Sequence, residues 1–123
     1  MTLNRLFIFH ALVTFAAGVA LVVVPNAIPS TVGVQLEESQ FIIAYLLAGA
    51  EFGIAYLSLV AARIPEHGAR RAIVLSFIVF HMATAILEVY ANLQGLSPLI
   101  WANVALRILI SALFAYFGLR QSK

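Results

Sequence analysis

No cysteine occurs among the 123 residues. Disulfides, thiolate metal sites and cysteine nucleophiles are therefore excluded. Charge is nearly as scarce: Asp, Glu, Lys and Arg make up 10% of the chain, where an average soluble domain carries roughly a quarter. The formal charge of +2 comes without a basic patch or an aromatic-interleaved basic run, which argues against nucleic acid as a partner. What remains is apolar. Hydrophobic residues are 63% of the chain and its mean hydropathy is +1.04. So short a chain cannot hide that much apolar side chain in one small core, so lipid is its expected solvent.

Hydropathy divides the chain into spans at about Leu3–Val24, Gln40–Arg63, Ala69–Leu93 and Pro98–Leu119. Each is close to the ~20 residues that cross ~30 Å of hydrocarbon. Pro25 and Pro29 end the first span and open a loop containing Gly33, Glu37 and Glu38. Pro65 and Gly68 punctuate the second turn. In "GLSPL", Gly95 suits a helix C-terminus, Ser97 an N-cap and Pro98 a first helical position. The expected fold is all-α: one domain over residues 1–123, an integral membrane four-helix bundle running up-down-up-down.

The cations orient it. Arg5, Arg63, Arg70, Arg71, Arg120 and Lys123 fall at one level, whereas the opposite loops hold only Glu37 and Glu38. The positive-inside rule then places both termini and the 64–68 turn in the cytoplasm. The first apolar run exceeds the 7–15 residues typical of a secretory leader, so it is expected to remain as a span.

Polar residues inside the spans fall into a pattern. In "FHMATAILEVYAN", residues 80–92, the groups His81, Thr84, Glu88 and Asn92 form one helical stripe. Arg107 lies well inside span four, where a charge costs about 2.5–3.5 kcal/mol on insertion scales and demands a protein environment. Counting 1.5 Å per residue from the cytoplasmic ends, Glu51, His81 and Arg107 share a level with Thr14. Glu88 and Asn103 form a second layer, and His10 and Tyr116 a third. Asn103, Arg107 and Ser111 share a face of span four. Glu51 shares one with Ala44, Ala48, Ala55, Ser58 and Ala62. The expected result is a polar pocket at the midplane. Glu51, His81, Glu88 and Arg107 are its candidate catalytic groups, with His10, Thr14, Ser58, Thr84, Asn92, Asn103 and Ser111 lining it to bind a ligand.

Two carboxylates against one guanidinium leave the pocket at −1 with His81 neutral, so a bound proton or cation is expected there. The plainer alternative is that Glu88 and Arg107 staple two helices, with neighbouring hydroxyls bonding back to their own helices. The His10 and His81 depths differ by roughly 8 Å on this count, which disfavours haem between them. Arg107 would repel a metal at Glu51, His81 and Glu88, so neither metal nor cofactor is expected. Gly49 and Gly53 spell GxxxG on the face opposite Glu51, where they would meet a second copy in a homodimer. Tyr45, Trp101 and Tyr116 suit interfacial anchors.

"LLAGAEFGIAYLSLVAAR" followed by "GARRAIVLSFIVF" resembles the second and third spans of the DoxX-like small bacterial membrane proteins, and "PNAIPSTVGVQ" resembles the loop of related families. The resemblance implies a four-span protein of the bacterial inner membrane, in some cases with quinone-linked or redox roles. It matches Glu51 to the family's span-two glutamate.

Three functions remain open on the residues alone. One is a protein that binds a small lipophilic substrate from the bilayer, with Glu51 or Glu88 and His81 as acid and base for isomerase- or cyclase-type chemistry and Arg107 steadying an anion. Another is a proton-coupled exporter working as a dimer. The third is an accessory subunit of a membrane redox complex. Two carboxyls, a histidine and an arginine at matched depth favour the first.

Overall fold

The computed structural model describes residues 1–97 and 99–120. Its helices are α1 (Leu3–Val23), α2 (Phe41–Ala61), α3 (His67–Leu93) and α4 (Trp101–Phe114). A 3-10 turn at Glu38–Gln40 leads into α2, and a π-helical segment, Ala115–Leu119, continues α4. With those extensions, each of the four is long and apolar enough to cross a membrane.

The helix ends obey local chemistry. Thr2 caps α1 by accepting the Arg5 N–H, and Glu66 caps α3 by accepting from Ala69 N at 3.2 Å. Gly95 ends α3 at φ 75°, with Leu96 N–H donating to Ala91 O and Gly95 N–H to Asn92 O. That pattern closes the last carbonyls through a left-handed residue. The expected start of span four is corrected here. Ser97 does not cap α4; its hydroxyl donates to Val32 O at 2.8 Å. The helix begins at Trp101 without a side-chain cap, and Pro98 lies outside the described residues.

Packing joins two antiparallel pairs. In α1/α2 the contact is made by small residues: a Cβ on Gly18 would come within 2.6 Å of the Phe52 ring, and Leu21, Ala44 and Ala48 pack beside it. In α3/α4 the register runs from Val74 against Gly118, through Phe77 and Phe114 with ring centres 5.3 Å apart, to Ala85 beside Val104. The pairs meet in a cluster of Leu3, Leu6, Phe7, Ala61, Val74, Phe77 and Phe114. This draws the starts of α1 and α3 and the ends of α2 and α4 to one end of the bundle, which is the up-down-up-down order. The Arg70 guanidinium also donates to Asn4 Oδ1 there.

Outward, the helices present Ile8, Phe9, Leu12, Phe15, Leu46, Val79, Ile86 and Leu109, all exposed. So much contiguous apolar surface suits hydrocarbon rather than water. The chain is built as a multi-pass membrane protein. The α1–α2 connection is folded rather than slack: Asn26 Nδ2 donates to Leu36 O at 2.9 Å, and Leu36 N–H donates back to Asn26 Oδ1 at 2.7 Å. Within the clasp, Gly33 adopts φ 78° after a 3-10 turn at Pro29–Val32.

Gly118 offers the sharpest test of this packing, because a Cβ there would lie 2.5 Å from Val74 Cγ1. Gly118→Ala should destabilise the bundle by about 1–3 kcal/mol. Adding Val74→Ala removes the obstructing methyls and should recover part of the loss. Thermal unfolding in detergent micelles measures both.

Candidate functional site

The buried polar residues form two clusters, not one pocket. The inner cluster links three helices. His10 is 3% and His81 4% exposed, and their Nε2 atoms are 2.9 Å apart. His10 Nδ1 lies 2.8 Å from Ser58 Oγ, and the Ser58 hydroxyl donates to Ile54 O at 2.9 Å. Hydrogen counting orders this chain. Ser58 has one hydrogen, which goes to Ile54, so His10 Nδ1–H must donate to Ser58. His10 Nε2 then accepts from His81 Nε2–H. Aromatic rings enclose the pair, with Phe77 and Phe114 at 4.8 and 5.1 Å from the His10 ring. The expected 8 Å separation in depth is thus overturned. Helices α1 and α3 are offset along the bundle, as Phe7, four residues into its span, packing against Phe77, eight into its own, makes plain. A direct imidazole–imidazole hydrogen bond also leaves no room for a porphyrin between them.

The outer cluster lies between α3 and α4. Glu88 Oε1 accepts from Arg107 Nε at 2.9 Å and from Asn103 Nδ2 at 2.6 Å. Arg107 also stands over the Phe80 ring, 6.0 Å from its centre. Arg107 therefore belongs with Glu88 rather than with His81. The α3/α4 register places it opposite Ala85, from where its side chain runs outward. Glu88 and Arg107 are 15% and 19% exposed, and the second carboxylate oxygen, Oε2, is buried without a partner among the described residues. Beside this cluster opens a cavity of about 310 Å³. Its walls are Leu21, Ala44 and Leu47 from α1 and α2, with Ala91 and Ile100 opposite. Glu88, Asn103 and Arg107 supply its polar side, and Ile28, Val32 and Leu36 of the clasped connection close over it.

Other expected lining residues sit elsewhere. Thr14 and Thr84 spend their hydroxyls on their own helices, donating to His10 O and Phe80 O. Asn92 donates to Ser97 O at 2.8 Å and shapes the α3–α4 turn. Glu51 is half-buried on α2 and makes no hydrogen bond or ion pair among the described residues. Tyr116 does not join His10; it is exposed, and its hydroxyl accepts from Arg120 Nη1 at 3.1 Å. Gly49 and Gly53 face outward, with nothing within 4 Å of a Cβ at either. No three His, Asp or Glu side chains converge to hold a metal ion among the described residues.

Asn26 and Val32 do not stand out in the sequence, and Ser97 does so only as an N-cap, yet the three hold the cover of the cavity. Their signal is faint: Ile28, Val32 and Leu36 recur every four residues in a connection that otherwise looks like a loop.

Breaking the ion pair from one side leaves a lone charge inside the bundle. Glu88→Gln and Arg107→Gln should each destabilise the protein, and the double variant should lose less than the sum. A coupling of about 0.5–3 kcal/mol is expected, read from unfolding midpoints of the four proteins in one detergent. Comparison with protein-family models, characterised proteins and solved structures gives no match.

Proposed function

We propose that this protein sits in the bacterial inner membrane with both termini in the cytoplasm and holds one small lipophilic molecule in the cavity beside Glu88. The observation that carries this reading is the cavity itself: about 310 Å³, apolar on nearly every wall, with Glu88, Asn103 and Arg107 grouped on one side. Binding sites for small apolar molecules have this composition, with many greasy contacts and a few polar groups that set orientation.

The polar side has a definite preference. Glu88 and Arg107 neutralise each other, so a charged guest would leave an uncompensated charge in a low-dielectric site. A neutral molecule fits better. It would place a hydrogen-bond donor on Glu88 Oε2, whose partner is otherwise missing among the described residues. Its apolar body would lie against Leu21, Ala44, Leu47 and Ile100.

The geometry favours holding over turnover. His81 and Glu88 are seven residues apart on α3, about 10 Å along the helix, and His81 Nε2 is taken up by His10. They do not converge on one reacting atom as an acid–base pair requires.

Two measurements test the proposal. Ala91→Phe places a ring in the cavity, and Glu88→Gln with Arg107→Gln removes its charges while keeping a neutral pair. Solvent extracts of the purified wild type should yield a low-mass apolar compound near one per chain by mass spectrometry, and both variants should lose it. Equal extracts from all three would sink the reading. For topology, the chain's lack of cysteine helps. A membrane-impermeant maleimide on intact cells should label Leu96→Cys and spare Glu66→Cys.

A further inference from the structure

At the level of the inner cluster lie two loose ends that neither the fold nor the outer cavity uses. His81 Nδ1 and Ser111 Oγ are both buried without a hydrogen-bond partner among the described residues, on residues only 4% and 5% exposed. They belong to facing helices. Val74 meets Gly118 and Phe77 meets Phe114 on one side of this level, while Glu88 meets Asn103 on the other. Running the antiparallel register between those pairs sets His81 opposite Ser111.

Ser111 is an exception among the mid-helix hydroxyls. Thr14, Ser58, Ser76 and Thr84 each donate to the carbonyl four residues earlier, which is the ordinary outlet for such a group. Ser111 does not take it, so its hydrogen is available to something else. The Ser58–His10–His81 chain fixes the other end. Because His81 donates through Nε2, its Nδ1 is a bare acceptor. One buried donor and one buried acceptor therefore stand at one level, and each is costly to leave unmade.

We propose that His81 and Ser111 form a second binding site, for a single hydroxyl oxygen. That oxygen accepts from the Ser111 hydroxyl and donates its own hydrogen to His81 Nδ1. No carbonyl or ether can do both, and an ammonium would find no acceptor at Ser111 once that hydroxyl donates. With the site filled, one unbroken series of donors runs from Ser111 to the guest, then His81, His10, Ser58 and Ile54 O. Every hydrogen in it points the same way, so each bond polarises the next. The hydroxyl belongs either to an internal water or to an alcohol-bearing apolar molecule. Both present the same O–H to the same two atoms. This site is independent of the one beside Glu88 and stands or falls separately.

Nitrogen-15 NMR of histidine-labelled protein in lipid nanodiscs provides the test. In the wild type, His81 Nδ1 should resonate as a hydrogen-bonded acceptor. In Ser111→Ala it should move toward the position of a bare imidazole nitrogen, while the His10 Nδ1–H signal stays, since Ser58 still accepts from it. The unfolding midpoint of Ser111→Ala should fall, because a satisfied hydroxyl has been lost. A cross-peak from water to the His81 ring identifies an internal water. Cross-peaks from added 1-decanol, with loss of the water signal, identify a lipophilic alcohol. A protonated Nδ1 in the wild type overturns the proposal. So does a Ser111→Ala protein whose His81 signal is unchanged and whose midpoint rises, the result expected when an unpartnered hydroxyl is removed from a core.

Discussion

Lipid offers no hydrogen bonds, so every polar group carried into the bilayer has to find its partner within the protein. The arrangement of these four helices follows from that constraint more than from apolar attraction, which hardly distinguishes a neighbouring helix from a lipid tail. Glu88 and Arg107 draw α3 to α4, with Asn103 as a second donor to the same oxygen. The Ser58–His10–His81 chain draws α2, α1 and α3 together. One polar cluster thus acts within a hairpin and the other between hairpins, so together they set which helices meet and in what register.

Size complementarity then decides where the two hairpins touch. At the inner end Phe7, Phe77 and Phe114 interlock, with Phe7 and Phe114 ring centres 5.6 Å apart, and Gly118 makes room for Val74. Toward the outer end the facing positions hold Ala44 and Ala91, which are too small to fill the gap between hairpins. Space therefore collects there, and the clasped connection covers it with Ile28, Val32 and Leu36. The cavity is a consequence of this gradient in side-chain volume along the bundle.

Much of this could be read from the chain, and the parts that could not share a cause. Span positions, the Gly95 terminus and the small-residue face of α2 depend on composition and helical period, which act locally. Relative depth does not. Counting from helix ends put Arg107 level with His81 and set His10 apart from it, because that count assumes that all helices begin on one plane. Phe7 against Phe77 and His10 against His81 set the real offset, and those contacts depend on tertiary packing. The Asn26–Leu36 clasp was hidden for a similar reason: nothing local distinguishes an Asn that bridges ten residues from one that merely turns the chain.

The apolar seam between the two clusters carries the last consequence. Ala85 and Val104 pack between the His81 level and the Glu88 level, so hydrogen bonds do not run continuously from one cluster to the other through α3 and α4. Charge is not confined in the same way. Electrostatic force in a low-dielectric interior falls slowly with distance, whereas a hydrogen bond ends within about 3.5 Å. The two clusters are therefore separate in their hydrogen bonding but not in their electrostatics. A guest that alters the pairing of Arg107 with Glu88 would alter the potential at His81 without touching it.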